Sequence, residues 1–299
     1  MNRILIAAAL GLTLALAQAP GIAAASSPEW DEIEPTELML FYPGIAAVEW
    51  VLGDIRIDKE RHQGSRGLKV GDRCIECHLA DPEELVFIGE AIAAGKWMEP
   101  APIEGKPGTI PVTVRAAHDD EELYLQFSWT QPPASGTAPM DTDNPVKISF
   151  MLDAGKVAFA DQAGCWASCH ADSRGMPEGD EDRSKYVTGG SLADGVFYDL
   201  LQWRSGEDKA YDGHVADERV MTGGTALEWA SGKLEGDTWT VVFKRRFEGG
   251  EGDVTLRKGA VYNIGVAIHD DHAAGRYHHV SMGYTLGIDA KADIVARHH

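Results

Sequence analysis

Two kinds of hydrophobic pattern divide this chain. Residues 4–17 form an apolar run rich in Leu and Ala, behind Arg3, the only charged residue among the first 28. Small residues follow, ending Ala23-Ala24-Ala25-Ser26-Ser27. A positive start, an apolar middle and a small-residue end are the pattern of a secretory signal peptide. The run of ~14 residues is short of the ~20 that a membrane-spanning helix needs. The expectation is a signal peptide over 1–25, cleaved after Ala25, with a cut after Ala17 as the alternative and an uncleaved anchor as the competing reading. Beyond about residue 109 the pattern becomes alternation. Over 122–130, Leu123, Leu125, Phe127 and Trp129 alternate with Tyr124, Gln126 and Ser128; over 238–247, Trp239, Val241 and Phe243 alternate with Thr240, Val242 and Lys244. A period of two with one apolar face predicts half-buried strands.

The same reasoning predicts strands at 110–117, 146–152 and 260–268, with 280–286 returning beside the last. His118-Asp119-Asp120 reads as a turn between the first pair, and 196–204 reads as strand or short helix. Strands punctuated by Gly and Asp, with few helical runs, argue for a mainly β protein: a β-sandwich over 109–296. Ahead of it, 38–52 reads as a short helix or an extended lead-in, and 82–94 as a short amphipathic helix with Leu85, Ile88 and Ile92 on one side. The Pro- and Gly-rich stretch 100–108 marks a boundary, so 26–100 is expected to be a small, mostly helical or irregular segment.

Charge narrows the partners. The 299 residues hold 27 Lys and Arg against 47 Asp and Glu, a formal net charge of −20. Loss of Arg3 with the signal peptide makes it about −21. That balance, with no basic stripe, argues against nucleic acid and against an anionic membrane surface. The run Gly179-Asp180-Glu181-Asp182 reads as a solvated loop, without the spacing of an EF-hand.

The chemistry lies in the cysteines. Cys74-Ile75-Glu76-Cys77-His78 is C-x-x-C-H, the attachment signature of a c-type haem. Two thiols add to the vinyl groups on one porphyrin edge, and the adjacent His lies beneath the ring to bind iron. A redox C-x-x-C pair would want a βαβ context, and a zinc site would want two more nearby ligands; neither is present. Cys165-Trp166-Ala167-Ser168-Cys169-His170 repeats the idea with one more residue between the cysteines, the competing reading being a disulfide beside a chance His. The two motifs use all four cysteines. The expected cofactors are two covalently bound haem c groups, held at Cys74, Cys77, Cys165 and Cys169, with His78 and His170 as proximal iron ligands.

An iron that only carries electrons takes a second axial ligand, usually His or Met. His269, His272, His278 and His279 crowd into 268–280, and at least one of them is expected to be such a ligand. If a strand begins there, His278 and His279 point to opposite faces. Further candidates are His118 at a hairpin tip, His62 ahead of the first motif, and Met151 in a strand.

The stretches IPVTVRAAHDDEELYLQFSW, KISFMLD followed by GCWASCHAD, GVFYDLLQWRSG, and GAVYNIGVAIHDDHAAGRYHHVSMGYTLG together resemble the haem-binding domain of ethylbenzene dehydrogenase and dimethylsulfide dehydrogenase γ subunits and related c-type cytochromes. The resemblance spans about 110–294 and implies a β-sandwich holding haem near one end. Those γ subunits hold a non-covalent haem b between Met and Lys. GCWASCH departs from that and implies a covalent haem with His170 as ligand. The resemblance matches Met151 to the Met position and the His278/His279 region to the Lys. The CIECH segment resembles an added cytochrome c module.

Together these readings describe a periplasmic dihaem electron-transfer cytochrome rather than an enzyme. Its redox partner would be another cytochrome or, by family analogy, a molybdenum oxidoreductase, met through a basic docking face. The competing readings are a dihaem enzyme, a peroxidase or small-molecule reductase with one open iron site, and a non-redox binding module with disulfides.

Overall fold

The computed structural model describes residues 27–42, 65–78, 105–169, 185–275 and 277–299. The signal segment, the helix expected at 82–94, the acidic run near residue 180, His62 and His170 lie outside the described residues, as do the side chains of Cys77, His78 and Cys169.

The strands, in chain order, are β1 (Thr36–Phe41), β2 (Thr109–His118), β3 (Glu122–Thr130), β4 (Lys147–Asp153), β5 (Ser168–Cys169), β6 (Tyr186–Val187), β7 (Tyr198–Arg204), β8 (Lys209–Val215), β9 (Arg219–Val220), β10 (Leu227–Glu235), β11 (Thr238–Arg246), β12 (Val261–His269), β13 (His279–Ser281), β14 (Tyr284–Ile288) and β15 (Ile294–His298). They hydrogen-bond in the order β10-β11-β3-β2-β1-β13-β12-β4-β7-β8-β9, with β14 and β15 bridging β12 back to β2, and β5-β6 as a separate pair. The neighbours are antiparallel except β14–β15 and β15–β2.

This continuous ladder is folded over on itself. Phe150 of β4 packs edge-on against Phe243 of β11 at 5.1 Å between ring centroids, and Phe127 of β3 lies 5.8 Å from Phe150. Trp203 of β7 meets Trp239 of β11 at 5.6 Å. None of these strand pairs is a ladder neighbour, so the β10-β11-β3-β2 half faces the β12-β4-β7 half across a common core. That is a β-sandwich, with inward residues from both layers interdigitating. Burying those faces is the main stabilising term of the fold.

Local chemistry explains the strand ends. The β2–β3 hairpin closes because Asp119 Oδ1 accepts the amides of Glu121 and Glu122 at 2.9 and 2.8 Å, an Asx turn. The β10–β11 turn passes through Gly236 at φ 63°, backbone that favours glycine. The segment at 196–204 is a strand in its described core, and the expected return beside β12 is split in two, β13 and β14, at Met282-Gly283. Part of the lead-in segment is β1, inserted between β2 and β13. Residues on both sides of the 100–108 stretch therefore share one sheet.

Candidate haem sites

Every residue of β4 is buried. Ile148, Phe150 and Leu152 point into the sandwich core. Ser149, Met151 and Asp153 face the other way, so something must cover that outer face. The cover is the chain from residue 154 to 169, which carries the second cysteine motif. Asp153 launches it: Oδ1 accepts the amides of Lys156 and Val157, and Oδ2 accepts Gly155 N and Asn263 Nδ2. A short helix, Ala160–Ala163, and a 3-10 turn, Gly164–Ala167, follow.

Glycines let this segment lie directly on the sheet. A Cβ at Gly265 of β12 would fall 2.3 Å from Cys165 Sγ, and one at Gly283 would fall 2.9 Å from the Gln162 backbone. Tyr198 donates its hydroxyl to Gly164 O at 2.7 Å, and Ser168 donates to Cys165 O at 2.7 Å. Cys165 is 3% exposed and forms no disulfide; burial pushes its thiol up.

Cys165 lines an open cleft on the outer face of β7, β4 and β12. Met151, Leu200 and Ala267 give it an apolar floor. His269 and His278 stand together in it, their rings stacked at 4.7 Å between centroids and 19° between planes. His269 Nε2 lies 2.9 Å from Gly275 O, while its Nδ1 has no hydrogen-bond partner. Burial, then the charge of Lys147, pushes this imidazole down to about 3. It is therefore neutral at pH 7, the form that can donate a lone pair to a metal. A hollow continuous with it brings Lys147, Lys185, Arg204 and Arg219 to the rim, against one carboxylate, Asp141. In an acidic chain that concentration of cations is a local reversal of sign.

These residues fit a tethered haem: a thiol at the wall, an apolar floor, an imidazole with an unpartnered buried nitrogen, and cations suited to propionates.

The first motif forms the short helix Cys74–His78, preceded by the helix Ser65–Val70. Arg73 anchors it, with Nη2 2.6 Å from Asp293 Oδ2 and 3.0 Å from Gly283 O. Buried Gln162 ties it to the second motif, donating Nε2 to both Leu68 O and Asp72 O at 2.8 Å. Cys74 packs against the buried cluster that contains Cys165, and also, with Ile75 and Met39, against Phe41 and Met282.

The other histidine candidates are placed away from the cleft. His279 is fully buried on the opposite side, with Nε2 2.8 Å from Pro107 O and Nδ1 3.3 Å from Asp270 Oδ1. Asp270 also pairs with buried Lys106 at 2.6 Å. His118 Nδ1 lies 2.6 Å from Asp119 O and its Nε2 3.0 Å from Asp289. His272 Nδ1 lies 2.7 Å from Asp141 O, at the edge of the cation-rich hollow. Of the candidates among the described residues, His269, His278 and Met151 are the ones brought to Cys165.

Sequence reasoning missed Gln162, the rim cations Lys185 and Arg219, and the thioethers Met39 and Met282 near Cys74. No spacing rule marks Gln162 or the methionines. Basic residues near a cofactor motif in an otherwise acidic chain were a usable signal for the rim.

Residues 28–229 match a family described as ethylbenzene dehydrogenase. The chain is 55% identical to cytochrome c-552 of Stutzerimonas stutzeri over 99% of both chains. It is 36% identical to cytochrome c-551 of Rhodocyclus tenuis, over 88% of this chain and 95% of that one. Among solved structures, a family 9 carbohydrate-binding module from Caldicellulosiruptor kristjanssonii in complex with glucose aligns with a TM-score of 0.32 at 13% identity, covering 64% of this chain and 83% of that one. Its complex with cellotriose aligns at 0.28 and 11%, covering 60% and 68%.

Proposed function

The chain belongs to the ethylbenzene dehydrogenase family and is a c-type cytochrome with an electron-transfer role. From that premise we propose that it is a periplasmic dihaem carrier, passing electrons between its two covalent haems and on to a separate redox partner. When bound, haem c supplies a one-electron iron couple, and the protein sets its ligands, burial and charge. In this reading Cys74 and Cys77 tether one group and Cys165 and Cys169 the other. His78 and His170 are the proximal ligands. His269 or His278 would supply a further iron ligand on the Cys165 side, with Met151 on the floor beside them. Lys185 and Arg219 offset propionate charge.

The observation that carries the proposal is the union of the two attachment segments. Gln162, three residues before Cys165, holds the chain on either side of Gly71 through carbonyls 94 and 90 positions away. Cys74 and Cys165 share a buried cluster. Two cofactors anchored on one rigid patch suit direct exchange between them.

The signal pattern at 1–25 supports export, and no helix among the described residues is long and apolar enough to cross a membrane. The net charge of −20 supports a partner with a basic docking face.

The decisive test is intact-mass analysis of protein made in a haem-maturing host. Two haem additions are expected, falling to one when Cys165 and Cys169 are both changed to Ser. Reductive titration should take two electrons per chain, with low-spin spectra throughout. A single haem in the parent protein overturns the dihaem reading. High-spin, five-coordinate bands in the resting protein would favour an enzyme with an open iron site.

A further inference from the structure

Away from the haem cleft, three carboxylates meet inside the protein. Asp199 lies on β7, Asp212 on β8, and Asp253 on the loop after β11. One carboxylate oxygen from each lies within 4.8 Å of the others. Asp199 is fully buried and Asp253 is 7% exposed.

Each carboxylate divides its labour in the same way. Asp199 Oδ2 accepts from Arg245 Nη1 at 2.6 Å and Val254 N at 3.0 Å. Asp212 Oδ2 accepts from Leu227 N at 2.8 Å. Asp253 Oδ2 accepts from Gly250 N at 2.6 Å, Thr225 N at 2.8 Å and Thr225 Oγ1 at 3.2 Å. All three Oδ1 atoms are buried and have no hydrogen-bond partner. A Cβ built on Gly224 would meet Asp212 Oδ1 at 2.1 Å and Asp253 Oδ1 at 2.7 Å, so those two oxygens converge on the same space. Arg245 brings one positive charge to three carboxylates, and its remaining donors go to Val254 O and Arg246 O.

A buried carboxylate oxygen without a donor is costly, and three of them in one cluster are more so. Burial, with repulsion from Asp199 and Asp253, pushes the Asp212 carboxyl up to about 7. The arrangement is the donor set of a hard cation: oxygen atoms only, net negative, each held in place by a second hydrogen bond at its other oxygen.

We propose that Asp199, Asp212 and Asp253 form a binding site for a hard divalent cation, calcium in preference to magnesium. Calcium accepts irregular oxygen cages with several carboxylates, whereas magnesium demands near-octahedral geometry and keeps its water. The ion clamps β7 and β8 to the 224–225 and 250–253 loops. It therefore stiffens, from behind, the strand whose Leu200 and Gln202 wall the haem cleft.

The test uses the full holoprotein, dialysed against a chelator and then titrated with calcium chloride. One calcium per chain by elemental analysis is expected, with a rise of several degrees in the melting temperature that saturates with calcium. Magnesium chloride should produce less. Asp212→Asn keeps an acceptor for Leu227 N and should weaken calcium binding by at least about tenfold without changing the haem spectrum. The proposal is overturned if the dialysed parent protein binds no calcium and its melting temperature does not move, which would mean that the carboxylates share protons instead. It is equally overturned if Asp212→Asn binds calcium as tightly as the parent. Should that variant fail to fold, the parent titration alone decides.

Discussion

His278 and His279 are neighbours in sequence and opposites in placement. His278 lies in the cleft beside Cys165, stacked on His269, whereas His279 is locked between Pro107 O and Asp270 on the far side. The density of histidines in 268–280 was legible in the sequence. Which of them faces the cleft was not, because Pro107 and the Lys106–Asp270 pair that hold His279 are fixed by tertiary contacts. His279→Gln should leave the absorption spectrum unchanged and lower stability by about 1–3 kcal/mol, the cost of disturbing a buried hydrogen bond. His278→Ala or His269→Ala should instead alter the axial-ligand bands; urea titration and visible spectra separate the two effects. Asp141 makes a pH prediction. Although partial burial raises a carboxyl, Lys147 at 2.6 Å and the Asn144 amide hold it down to about 2. Its folded value is below the ordinary ~3.9, so its contribution is complete above about pH 4 and is lost as pH falls from 4 toward 2. Asp141→Asn should destabilise the protein at pH 7 and flatten the loss of stability over that acid window, measured as urea midpoints against pH.

At the scale of elements, the strands with a clean period of two were legible and those without were not. In β3, Leu123, Leu125, Phe127 and Trp129 are each at most 2% exposed, as the alternation required. The strand β10 is half-buried or exposed at every position, so its sequence carries no apolar face to read. It is held instead by β11 and by Gly232, whose missing side chain leaves room for the Trp203 indole. The alternation of β11 did contain a surprise: Arg245 shares the inward parity of Val241 and Phe243 and is 1% exposed, paired with Asp199. Burial of an arginine needs a partner that pattern reading does not supply. The union of the two cysteine-motif segments has the same character, since the side-chain hydrogen bonds that join them come from one buried glutamine. Gln162→Leu removes the donor from Leu68 O and Asp72 O, and should cost about 1–3 kcal/mol. Amide exchange should rise selectively across the helix Ser65–Val70, with both haems still attached. Uniform exchange across the chain, or none beyond the parent, would show that Gln162 does not join the two segments.

For the whole molecule, the distribution of charge matters more than its total. The chain is acidic by 20 charges, yet Lys147, Lys185, Arg204 and Arg219 gather at one hollow beside Cys165. If those cations offset propionates, as proposed above, the field that an approaching protein meets remains that of the acidic chain. That field reaches about 30 Å at 0.01 M salt and about 10 Å at 0.1 M. Association with a basic partner should therefore be fast at low salt and should slow by at least about tenfold between those limits, while electron exchange between the two haems within the chain should not respond. Stopped-flow reduction by a basic cytochrome, followed against ionic strength, measures the first; flash-induced intramolecular equilibration measures the second. A bimolecular rate that is flat with salt would remove the acidic surface from the docking argument. A salt-sensitive internal rate would mean instead that the two attachment segments move relative to each other, against the rigid patch formed by Gln162 and the shared cluster around Cys165.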